Sequence, residues 1–127
     1  TKNATSEIIY EVPRSTAPYV PTPLFSKGRL YLWGDKGVVT CLHAASGEII
    51  WKERVGGNFS VSPIQIGENI LNVSSDGEMV TLLDDEKFEV TERRNLDTIG
   101  PRPPAVSNGF FLVRTKNKLL CMNISPN

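Results

Sequence analysis

Chemistry in this chain has few places to start. Its single histidine, His43, sits in Leu42-His43-Ala44. Nucleophilic catalysis of the triad kind needs a nucleophile, a histidine and an acid brought together. No G-x-S-x-G turn surrounds any serine, so His43 is expected to be a structural or surface residue. The carboxylate run Asp84-Asp85-Glu86 lacks the alternating spacing of a calcium loop. It falls where a hairpin turn is due, and a solvated turn is expected there. Cys41 and Cys121 are too few for a disulfide framework and have no nearby Cys or His to complete a zinc site. Both are expected to be small buried apolar side chains. Arg93-Arg94 and Arg102 are a candidate anion contact, with solvated charge as the simpler reading. Asn3, Asn58, Asn72 and Asn123 each begin an N-x-S/T sequon. Asn72 falls inside an expected central strand, so the sequons read as coincidence.

Composition narrows the class. The 127 residues make one domain's worth of chain. Lys+Arg and Asp+Glu stand at 14 each, so no net field favours nucleic acid or an anionic membrane. No apolar run approaches the roughly 18 residues of a membrane span. Thr1 to Ser6 is polar and is no signal peptide. An opening Thr in place of Met fits a processed or partial chain. Ten glycines and nine prolines suit short strands and turns better than helices.

The elements follow from that punctuation. Short β-branched and aromatic runs recur: Glu7–Val12, Arg29–Trp33, Val38–His43, Glu48–Val55, Asn69–Val73, Glu78–Leu83, Phe88–Arg93, Phe110–Arg114 and Leu119–Ile124. Turns at Gly34–Gly37, Ala44–Gly47, Ser74–Gly77 and Asp84–Lys87 separate them. The runs repeat. Pro23, Pro63 and Pro104 lie 40 and 41 residues apart, Gly37 and Gly77 lie 40 apart, and Cys41 and Cys121 lie 80 apart. Ser6-Glu7-Ile8-Ile9-Tyr10 matches Gly47-Glu48-Ile49-Ile50-Trp51 at an offset of 41. Four short antiparallel strands at that period predict the blades of a β-propeller. A blade buries both faces only by stacking on its neighbours.

Leu42-His43-Ala44-Ala45-Ser46-Gly47-Glu48-Ile49-Ile50-Trp51 resembles the L-D-A-x-T-G-K-x-x-W element of the PQQ-like, or quinoprotein-type, β-propeller repeat. Gly28–Trp33 and Ser62-Pro63 resemble two further positions of that repeat, and His43 stands where the family often carries Asp. The resemblance implies an all-β partial propeller of four-stranded antiparallel blades without significant helix. Residues 6–13 are then the last strand of a preceding blade, 18–55 blade one, 59–94 blade two, and 102–124 the first three strands of blade three. It also implies that Gly37, Gly47 and Gly77 form turns. Trp51, and more weakly Tyr10, dock one blade on the next, where a large ring covers the junction.

Propellers close with typically 4–8 blades, and these twelve expected strands amount to three. The chain is therefore expected to be part of a longer propeller, to pair with a second copy into a six-bladed ring, or to remain an open arc. Exposed edges and faces favour association, so it is expected not to be a monomer. The leading functional expectation is a non-catalytic binding or scaffold module, bacterial and periplasmic or secreted, with no cofactor and a possible protein partner. The alternatives are a fragment of a dehydrogenase using pyrroloquinoline quinone and calcium, and a sensor domain. Loops joining strand four to the next strand one, and strand two to strand three, gather on one face of such a ring. The candidate partner surface there comprises Asp35, Lys36, Arg54, Asn58, Asp76, Arg94 and Arg102.

Overall fold

The computed structural model describes residues 3–97 and 102–124. Its strands are β1 Leu24–Ser26, β2 Arg29–Trp33, β3 Val38–His43, β4 Ile49–Arg54, β5 Ile64–Ile66, β6 Asn69–Val73, β7 Glu78–Leu83, β8 Val90–Asn95, β9 Ala105–Ser107, β10 Phe110–Arg114 and β11 Leu119–Asn123. They form three antiparallel sheets: β1-β2-β3-β4 (blade one), β5-β6-β7-β8 (blade two) and β9-β10-β11 (blade three). No helix occurs among the described residues.

The repeat extends to register. Arg29 pairs with His43 and Trp33 with Val39, and in blade two Asn69 pairs with Leu83 and Val73 with Met79. Each blade then shifts register on its fourth strand at the same place, between Cys41 and Leu42 and between Thr81 and Leu82. A bulge there bends the outer strand and strengthens its twist.

Alternation along the inner strands supplies two apolar faces per blade. Tyr31, Trp33, Val39, Cys41 and Trp51 leave blade one and meet Ile70, Val80 and Leu82 of blade two. Trp33 stands edge-on to Phe59 at 5.2 Å between ring centres. The opposite face of blade two sends Leu71, Val73 and Met79 against Phe111 and Val113 of blade three. β2, β3, β6 and β7 are thereby buried almost throughout, whereas β8 is exposed along most of its length.

Four expectations change. Glu7–Val12 is not a strand: it joins no ladder, because no described strand lies beside it to take its N–H and C=O groups. Among the described residues the strands therefore number eleven rather than twelve. The strand expected at Phe88–Arg93 lies at Val90–Asn95 instead. Its turn is one residue longer than that of blade one: Leu83 N–H donates to the Glu89 carbonyl, where His43 N–H donates to that of Glu48. Cys41 and Cys121 share one register position, opposite Tyr31 and Leu112, yet only Cys41 is buried, since no sheet covers the far face of blade three among the described residues. Asn72 is enclosed as its strand position requires, donating to the Val61 carbonyl at 3.0 Å.

Burial pushes the Cys41 thiol up to about 11, so a thiol reagent at neutral pH should label one cysteine of the folded chain, Cys121; peptide mapping after labelling checks this. Phe111→Ala empties the junction between blades two and three and should lower unfolding stability by about 3–5 kcal/mol, measured as a reduced urea midpoint.

Candidate functional site

One end of the blades carries a continuous rim of loops, built from backbone hydrogen bonds. The β2–β3 turn bends at Gly37, whose positive φ of 81° suits glycine. A side chain there would strike the backbone of Gly56. Through that close approach the Gly37 carbonyl accepts from Val55 N–H at 2.7 Å and Gly56 N–H at 3.2 Å. The Asp35 carbonyl accepts from Phe59 N–H at 2.7 Å, and the Asn58 carbonyl from Ser75 N–H at 2.8 Å. In blade two the Gly77 carbonyl accepts from Leu96 N–H at 2.6 Å. Gly34–Gly37, Val55–Asn58, Ser74–Gly77 and Leu96–Asp97 are thus tied in sequence across two blades.

Lys36, Arg54, Asn58, Asp76 and Arg94 are exposed on or beside this rim. Asp35 is committed differently, for its Oδ1 accepts from the backbone N–H of Tyr19 at 2.7 Å and of Val20 at 3.3 Å. This holds the segment before β1 across blade one and leaves a groove of about 400 Å³, bounded by Thr16, Tyr19, Lys36, Val38, Thr40 and Lys52. Arg102 is exposed, and residues 98–101 of its loop lie outside the described residues. Arg93 is not free charge: it donates to the Val55 carbonyl at 3.0 Å and to Glu78 Oε1 at 3.1 Å, tying blade two to blade one. His43 is exposed at the last residue of β3, beside the opposite turns. At that end Lys27 and Glu68 form an exposed 2.7 Å ion pair, of a kind worth at most about 1 kcal/mol.

Asp84 departs furthest from expectation. Instead of a solvated turn it is a buried hub between blades, with no side-chain exposure. Its Oδ1 accepts from Tyr31 at 2.6 Å and Arg29 at 3.0 Å, and its Oδ2 from Ser26 at 2.6 Å and Gln65 at 3.0 Å. Burial opposes ionisation, but the hydrogen bonds from Ser26, Tyr31 and Arg29 and the guanidinium charge outweigh it, holding the carboxyl below its ordinary value of 3.8. Sequence reasoning missed Asp84 because its donors lie more than fifty residues away, except Gln65. The extra residue in its turn was the one available signal.

The docking aromatics also show a repeated contact. The Tyr10 ring lies against Gly47, where an added Cβ would come within 2.7 Å of it, and its hydroxyl donates to the Ala44 carbonyl at 2.5 Å. Trp51 is one repeat further on, and the position one repeat after Gly47 is Phe88. The two rings meet edge to face at 5.0 Å. Phe88 fills the space that glycine leaves open for Tyr10, and the buried Trp51 N–H finds no partner among the described residues.

The architecture of stacked four-stranded blades has known counterparts. The model of the family described as outer membrane protein assembly factor BamB matches residues 12–125. The chain belongs to this family. No curated protein sequence matches this BamB-family chain. Among solved structures it is similar to BamB from Moraxella catarrhalis, with a TM-score of 0.61 and 16% identity over 78% of this chain and 29% of that one. It is also similar to the quinohemoprotein alcohol dehydrogenase ADHIIG from Pseudomonas putida HK5, with a TM-score of 0.62 and 19% identity over 77% of this chain and 17% of that one. Both likenesses concern the fold, a PQQ-repeat β-propeller, and the match covers less than a third of either solved chain's length. Among the described residues no three His, Cys, Asp or Glu side chains are gathered as metal ligands.

Asp84→Ala should cost about 3–5 kcal/mol at neutral pH, because it strands the half-buried Arg29 and the buried Tyr31. A carboxyl depressed by folding stabilises above its ordinary value and loses that contribution as pH falls through the folded one. Urea titrations should therefore show the gap between wild type and variant narrowing below about pH 4.

Proposed function

We propose that this BamB-family chain is a non-catalytic binding or scaffold module of the bacterial envelope, presenting its loop rim to a protein partner. One observation carries the reading: the loops of successive blades are fastened to each other through their backbones. Lys36, Asn58 and Asp76 therefore project from a rigid support, and a preorganised surface loses little freedom on binding. Side chains of both signs line the rim, which suits a protein surface of mixed charge better than a polyanion. The family's description as an outer membrane protein assembly factor supports an extracytoplasmic location for this reading.

The rival reading is a fragment of a quinone- and calcium-dependent dehydrogenase, favoured by the fold shared with the quinohemoprotein enzyme. Photo-crosslinkers at Lys36, Asn58 and Asp76 should capture one protein in envelope preparations, whereas crosslinkers at Lys27 and Glu68, on the opposite end, should not. Reversing Lys36 and Arg94 to Glu should weaken that complex by roughly tenfold without moving the urea midpoint. Equal capture from both ends sinks the rim reading. Dye reduction after reconstitution with pyrroloquinoline quinone and calcium establishes the dehydrogenase.

A further inference from the structure

The chain is neutral overall, but its charge is unevenly spread. All 14 acidic residues stand at or before Asp97, whereas blade three and the loop leading to it carry Arg102, Arg114, Lys116 and Lys118 and no carboxylate side chain. The β10–β11 turn holds two of these cations at the rim end. Thr115 is buried there, and its Oγ1 accepts from Asn117 N–H at 3.3 Å and Lys118 N–H at 3.0 Å. Its own N–H donates to the Lys118 carbonyl at 2.8 Å. Lys116 and Lys118 are therefore exposed on a turn locked by a buried hydroxyl.

The repeat shows what has changed at this junction. Thr81 and Cys121 hold one register position, opposite Leu71 and Leu112, which makes Lys118 the counterpart of Glu78. Between blades one and two, Glu78 accepts from Arg93 at 3.1 Å. Between blades two and three the sign is reversed. Arg94 stands opposite Met79, on the face of blade two that packs against blade three. Arg94 and Lys118 line one trough of about 470 Å³ there, with Leu96, Asp97, Leu120 and Met122. No ion pair engages Arg94, Lys116 or Lys118 among the described residues. Cations brought together from neighbouring blades repel each other and favour a bound anion.

We infer that the partner lays an acidic protein segment over the junction of blades two and three, with its carboxylates on Arg94, Lys116 and Lys118 and its apolar side chains on Leu96, Leu120 and Met122. This orientation rests on the rim reading and deepens it, placing the partner's acidic end over blade three. A protein segment fits better than a polyanion. Leu and Met rather than aromatic rings line the trough, so bases have nothing to stack on. The exposed Asp76 and Asp97 would repel a polyanion or an anionic bilayer spread along the rim.

A labelled Glu-rich peptide with interspersed Leu should gain fluorescence anisotropy on titration with the 127-residue chain at low salt, and lose binding as salt screens the exposed charges. Lys116→Glu with Lys118→Glu should weaken binding by roughly tenfold at an unchanged urea midpoint. Lys27→Glu with Lys87→Glu, at the opposite end, should not. Absence of binding at low salt overturns the inference, as does equal loss in the two variants. Tighter binding of phosphatidylglycerol vesicles or single-stranded DNA through Lys116 and Lys118 overturns it too, because the patch then reads phosphate. In envelope preparations, crosslinking at Lys36 that persists after reversal of Lys116 and Lys118 overturns this inference and leaves the rim reading standing. No capture from any rim position overturns both.

Discussion

A sheet whose inner strands are apolar on both faces must be covered twice, and this constraint governs the whole chain. β2, β3, β6 and β7 are buried on both faces along most of their length. Their burial depends on the next sheet arriving at the right spacing with complementary side chains. Tyr31, Trp33 and Trp51 supply that surface from blade one, and Ile70, Val80 and Leu82 receive it. Blade three, covered on one side among the described residues, shows the converse: Phe110 and Leu119 stay in solvent at positions whose counterparts in blade one, Arg29 and Val39, are half-buried or fully buried.

Apolar contact alone is weakly directional, and the junction between blades one and two adds devices that fix its alignment. Asp84 gathers donors from three positions of blade one and one of blade two, using its lone pairs fully. A buried carboxylate is tolerable only with such satisfaction. Arg93 ties the same two blades near the loop rim. The aromatic latch is the third device, and its two versions differ: glycine admits the Tyr10 ring and lets its hydroxyl reach Ala44, whereas Phe88 gives Trp51 more apolar contact and leaves its N–H unsatisfied. One repeat position thus exchanges a hydrogen bond for burial.

The loop rim inherits its rigidity from these junctions. Because the loops of blades one and two are hydrogen-bonded in sequence, their exposed side chains keep their spacing as long as the blades stay stacked. Function in such a fold resides in what the loops display rather than in the sheets, and the aromatics and glycines of the repeat are there to hold the display.

Local pattern determined the repeat, the fold class and most strand boundaries: Arg29–Trp33, Asn69–Val73 and Phe110–Arg114 lie where alternation and turn residues put them. The same spacing put the Gly37 and Gly77 turns and the loops after strand four at one end. Tertiary structure decided the rest, because the deciding partners are distant in sequence. Glu7–Val12 has the composition of a strand, but a strand exists only beside another that takes its hydrogen bonds. Cys41 and Cys121 occupy one repeat position and differ in burial because one has a sheet before it. Asp84 reads as a turn residue until Ser26, Arg29 and Tyr31 close around it. Asp35, expected to be free for a partner, is taken by the backbone of Tyr19. A sequence carries each residue's local preference, whereas burial and hydrogen-bond satisfaction depend on what the stacking of blades brings alongside.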